Sequence, residues 1–120
     1  MTDVRTDFHE DTAGDRLTRT LEAHGLTART GTDARTATDM VTVDIPGGPE
    51  IWIADPTGHI DSPVEAHPGW VAIYRPHADR SDEGEAEVYR SEGAGGFAHD
   101  TAALVVAVVQ YTAARSLAAA

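Results

Sequence analysis

The chain has no cysteine, which removes disulfide frameworks, thiolate metal sites and thiol nucleophiles together. Lysine is absent too, since all nine basic residues are arginine. Schiff-base chemistry and the lysine-bearing phosphate loop are therefore excluded. The longest unbroken apolar run, Ala102 to Val109, is eight residues, far short of the roughly twenty that a membrane span needs. The opening M-T-D-V-R-T-D-F-H-E-D-T holds no apolar stretch of the secretory kind, so the expected location is cytoplasmic, with no membrane partner.

Positive charge is scarce as well. Twenty acidic residues against nine arginines give a net charge of −11, and residues 40–68 hold five acids and no base. Such a field repels nucleic acid and anionic lipid. A basic protein fits it better, mimicry of a nucleic acid is a remote alternative, and plain solubility is the bland one.

The most apolar stretch present is Ala98 to Leu117. Its valines favour a strand, but its length and flanking alanines make it a helix. On the helical period Leu104, Val105, Val108, Tyr111 and Thr112 share one face, with Ala102, Val109 and Ala113 on the margins and Asp100 as expected N-cap. Residues 1–10 offer only Val4 and Phe8 for burial and read as a disordered N-terminal segment before a single domain over 11–118. A first helix starts near Asp11 or Thr12, buries Leu17 and Leu21, and ends at Gly25, with Leu26 following as the apolar residue of a Schellman-type stop.

Between the helices lie strands. Leu26 to Thr30 reads as a short edge strand, and the rest of the stretch up to Asp39 as loop. Met40 to Asp55 is a hairpin broken by Pro46-Gly47-Gly48-Pro49, with Val41, Val43, Ile45, Ile51 and Ile53 on one face. Trp70 to Arg75 and Glu85 to Ser91 are further strands, separated by an acidic turn at Pro76–Gly84. The expected fold is α+β: a two-layer sandwich with an antiparallel sheet of three to five strands and both helices on one face. If the aliphatic residues, Val71, Ile73 and Val88 included, face the helices, the other parity carries Trp52, Trp70, Tyr74 and Tyr89. That is four of only seven aromatic residues, and it would make the open sheet face a docking or dimer surface.

Chemistry-bearing patterns are thin. The long loop Asp55–Gly69 is the first place to look for a site. His59 and Asp61 form H-x-D, His67 closes the loop, and His77 with Asp79 repeats H-x-D. These are weak metal candidates, with no H-E-x-x-H and no paired histidine on a helix face. Asp55, Asp61 and Glu65 are the acid or base candidates of that loop. Gly93-Ala94-Gly95-Gly96 precedes a helix as phosphate loops do, but matches neither glycine fingerprint. No serine lies in G-x-S-x-G.

In element order alone the chain resembles the small acidic α-β-β-β-α proteins that include secretion chaperones. No motif is shared, so the resemblance implies an accessory role and assigns no residue. The expected function is a non-catalytic interaction module, chaperone-like, inhibitor or immunity-type, without cofactor or metal. It would bind a protein partner, or itself as a homodimer, through Trp52, Trp70, Tyr74 and Tyr89. The alternative is a ligand- or metal-binding protein or enzyme using residues 55–69.

Overall fold

A computed structural model describes residues 12–77 and 84–119. Residues 1–10 and most of the Pro76–Gly84 turn, for which the sequence carried expectations, lie outside that range.

Helix α1 (Ala13–Ala23) is closed at both ends by local chemistry. The Thr12 hydroxyl accepts from the Asp15 amide at 3.3 Å and the Asp15 carboxylate accepts from the Thr12 amide at 3.5 Å, a reciprocal capping box. At the far end Leu26 N–H donates to the Leu21 carbonyl at 3.1 Å and Gly25 N–H to the Glu22 carbonyl at 3.0 Å. Those are the two bonds of a Schellman stop.

Five strands follow, β1 (Thr27–Asp33), β2 (Thr38–Asp44), β3 (Glu50–Ala54), β4 (Val71–Arg75) and β5 (Ala86–Arg90), before the last helix, α2 (Gly96–Ala119). The strands form one antiparallel sheet in the order β1-β2-β3-β4-β5. The fold is thus the expected α+β sandwich. Leu17 and Leu21 of α1 and Leu104, Val105 and Val108 of α2 share one core with Val41, Val43, Ile51 and Ile53 of the central hairpin. Fully burying each such side chain is worth about 1.5–3 kcal/mol. The two-proline hairpin and the inward face of the last helix are where the pattern puts them.

Three local expectations are corrected. β1 runs on to Asp33 and β2 starts at Thr38; the Thr-, Gly- and Asp-rich sequence is drawn into the ladder residue for residue, Asp33 opposite Thr38, and the Thr32 hydroxyl donates across it to the Asp39 carboxylate at 2.8 Å. Helix α2 starts at Gly96, so Asp100 lies within it rather than capping it. The third concerns sheet parity. In β4 the register sets Tyr74 opposite Ile51 and Ala72 opposite Ile53, so these residues, with Trp70 just ahead of the strand, face the helices. Val71 and Ile73 look outward. Tyr89 pairs with Ala72 and is drawn to the same side, while a register shift between Ala72 and Ile73 leaves Val88 as the extra residue of a bulge.

Candidate functional site

The open face of the sheet does not carry the expected aromatic patch. Trp70 is 0 % exposed and its indole N–H donates to the Thr101 hydroxyl of α2 at 3.0 Å. Tyr74 is buried against Tyr111, ring centroids 5.1 Å apart. Tyr89 is half-buried and tied to α2. Only Trp52 remains on the open face, and it is already engaged: its N–H donates to Glu50 at 2.7 Å and the Arg75 guanidinium lies 4.0 Å from its ring centroid. The docking surface assigned to Trp52, Trp70, Tyr74 and Tyr89 is therefore not assembled, because both parities of β4 are apolar and the register selects the aromatic one for the core.

The long loop is likewise a support. Asp55 is buried and accepts from Thr57 N–H at 2.8 Å, the Thr57 hydroxyl at 2.6 Å, His59 N–H at 3.1 Å and the Ser62 hydroxyl at 3.4 Å. This winds the loop so that the Ser62 and Ile60 carbonyls accept from Ala13 N–H at 3.0 Å and Gly14 N–H at 2.7 Å. First-turn amides of a helix have no partner of their own; here the loop supplies it. His59, Asp61 and Glu65 are exposed on this loop, and half-buried His77 lies in the turn that follows β4. Among the described residues no three His, Asp or Glu side chains converge on a metal-sized space. Asp79 lies outside them.

His67 is the exception, since it is drawn into a buried polar centre that no spacing rule announced. Asp100 accepts from three donors: His67 Nε2 at 2.7 Å, the Ser91 hydroxyl at 2.5 Å and the Tyr89 phenol at 2.5 Å. The His67 and Asp100 side chains are 2 % and 4 % exposed. His67 rests against Trp70 and Phe97, centroids 5.0 and 5.3 Å away, and its Nδ1 is buried without a hydrogen-bond partner. Two glycines allow this convergence. A Cβ on Gly69 would lie 2.4 Å from the Ser91 carbonyl oxygen, and one on Gly93 would lie 2.6 Å from that of His67. The loop end and the segment after β5 thus cross backbone to backbone, which gives the Gly93 cluster a packing role.

Burial alone would push the Asp100 carboxyl up, but hydrogen bonds from Ser91, Tyr89 and His67 outweigh it and hold the group below its ordinary value. The Tyr89 phenol is pushed up by burial, then by the bond to Asp100. Serine, histidine and aspartate are the types of a hydrolase triad, yet the wiring is different. A nucleophilic serine must bond to the imidazole; here serine and histidine both bond to the carboxylate. The arrangement fastens α2 to β5 and the loop end.

A concavity lies in the helix layer, with Phe97 and Thr101 in its lining. A trough of about 570 Å³ runs between α1 and α2, with Arg16, Thr20 and His24 on one wall. Ala102, Val105, Val106 and Val109 form the other. The α1 wall turns polar atoms back onto its own helix: the Thr20 hydroxyl donates to the Arg16 carbonyl at 2.9 Å, and His24 Nδ1 lies 2.9 Å from the Thr20 carbonyl. Val106, 54 % exposed, is the large apolar side chain left in solvent among the described residues. A smaller hollow of about 300 Å³ on the open sheet face is walled by Asp33, Arg35, Arg75 and Glu85, with ion pairs Arg35–Asp33 at 3.6 Å and Arg75–Glu85 at 2.6 Å.

No helix among the described residues is long and apolar enough to cross a membrane. Compared with known protein families, with curated proteins and with solved structures, the chain matches none.

Proposed function

We propose that the chain is a non-catalytic interaction module that takes the apolar side of a protein helix along the trough between α1 and α2. The observation that carries this reading is the trough wall itself: Val106 stands 54 % exposed beside a concavity of about 570 Å³. A helix laid in a groove is one of the recurring modes of protein recognition, and it uses apolar anchors three and four residues apart. The Asp100 centre supports the same reading, because its serine and histidine both spend their bonds on the carboxylate and not on each other.

An environment-sensitive anionic dye, anilinonaphthalene sulfonate, tests whether the trough is open to apolar groups. The native chain is expected to enhance its fluorescence, and Val106→Glu to reduce the enhancement severalfold with an unchanged circular dichroism spectrum. Equal enhancement by both proteins would overturn the assignment.

A further inference from the structure

Resting on the trough reading, we propose that the same trough is also a site for a small anionic amphiphile, a carboxylate carrying one apolar tail, with Arg16 at the head and the valines of α2 along the tail. The ligand and a partner helix share one wall, so each excludes the other. Size is the first argument. A concavity of about 570 Å³ falls within the roughly 300–1,000 Å³ of small-molecule sites, which join an apolar lining to a few fixed polar groups. Here Phe97, Val105, Val106 and Val109 of α2 are the apolar part, and Arg16 and His24 of α1 are polar groups facing them.

Charge is the second argument. The chain carries 20 acidic residues against nine arginines, yet no aspartate or glutamate among the described residues lines the trough, while Arg16 and His24 do. A carboxylate brought there meets a local field opposite in sign to that of the whole chain. Of the acids beside the lining in sequence, Asp15 accepts from the Thr12 amide and Asp100 from His67, Ser91 and Tyr89. Acids more than about 8 Å away are largely screened at physiological salt.

Direction is the third. Both helices start against the long loop: Ala13 and His67 border one small void, and His67 packs on Phe97 with ring centroids 5.3 Å apart. Arg16 lies one turn from that end, and His24 caps the other end of α1. The negative pole of a helix dipole falls at its C-terminus, so the anionic head is held at Arg16 and the tail runs toward Val109. A guanidinium presents several N–H donors in a fork that matches a carboxylate, enough to hold one beside a partner within the chain. From Phe97 to Val109 α2 rises about 18 Å, which suits a single extended tail.

Titration calorimetry of the full chain with decanoate and with decyltrimethylammonium, each below the concentration at which it forms micelles, sets heads of opposite sign on one tail. Decanoate is expected to bind severalfold more tightly, to displace anilinonaphthalene sulfonate and to raise the melting temperature, as a ligand of the native state does. The net charge of −11 alone predicts the reverse order. Arg16→Gln should weaken decanoate severalfold with unchanged circular dichroism and leave the cation no weaker, whereas Val106→Glu should weaken decanoate by loss of the tail contact. Equal or tighter binding of the cation, or decanoate binding untouched by Arg16→Gln, overturns the inference. No decanoate binding beside Val106-dependent dye enhancement overturns this ligand alone and leaves the trough reading standing. Dye enhancement independent of Val106 overturns both.

Discussion

Replacing Asp100 with Ala is expected to destabilise the fold by about 3–5 kcal/mol, the usual cost of removing one partner from a buried charged cluster. The substitution strands three donors at once, His67 Nε2, the Ser91 hydroxyl and the Tyr89 phenol. Each unsatisfied buried group costs about 1–3 kcal/mol. For a domain of this length the loss corresponds to a melting temperature lower by roughly 12–20 °C, read by calorimetry. The same carboxylate sets an acid limit. Its folded-state pKa is lower than the ordinary value of 3.8, so its contribution is fully present above that value and is lost as pH falls through the lower folded one. Asp100→Asn removes the titrating group, and stability should then fall less steeply below about pH 4. An Asp100→Ala chain that melts within about 3 °C of the native one, less than the shift from 1 kcal/mol, would remove the hub from the account.

The two tryptophans should part company just as sharply. Trp70→Ala is expected to cost about 3–5 kcal/mol, the range for a fully buried Trp or Phe, and it also strips the Thr101 hydroxyl of its donor. Trp52→Ala removes a half-buried ring, its stacking with Arg75 and one bond to Glu50. Exposed cation–π contacts are worth about 0.5–1 kcal/mol, and the whole change should stay near 1–2 kcal/mol. Urea titrations of the two variants measure the gap. Equal losses would mean that the two rings share one environment, against the placement of Trp70 inside and Trp52 outside.

How far the sequence spoke depended on whether a feature was local. Thr12 with Asp15, and Gly25 with Leu26, act on neighbours within one turn, so the bounds of α1 were readable from the chain. Val41, Val43, Ile51 and Ile53 face polar or half-polar alternates, so period two alone oriented the hairpin. In β4 it did not. Trp70, Ala72 and Tyr74 on one side and Val71 and Ile73 on the other are all apolar, and only pairing with β3 selects the side that turns in. Preference for aliphatic cores chose the wrong parity there, and the aromatic docking face disappeared with it. The Asp100 centre joins residues 67, 89, 91 and 100, brought together by a glycine crossing that no spacing rule encodes. The trough was equally silent, since its walls are about eighty residues apart in sequence and exist only once both helices lie on one sheet.

Acrylamide quenching of two single-tryptophan chains, Trp52→Phe and Trp70→Phe, tests the central claim most directly: the indole of Trp70, just ahead of β4, turns under the helices, so contacts are left to the helix layer. The chain retaining Trp70 should emit at short wavelength and resist the quencher, while the chain retaining Trp52 should emit further to the red and be quenched severalfold more. Equal, strong quenching of both would place Trp70 in solvent, restore the sheet as the docking face and contradict the account.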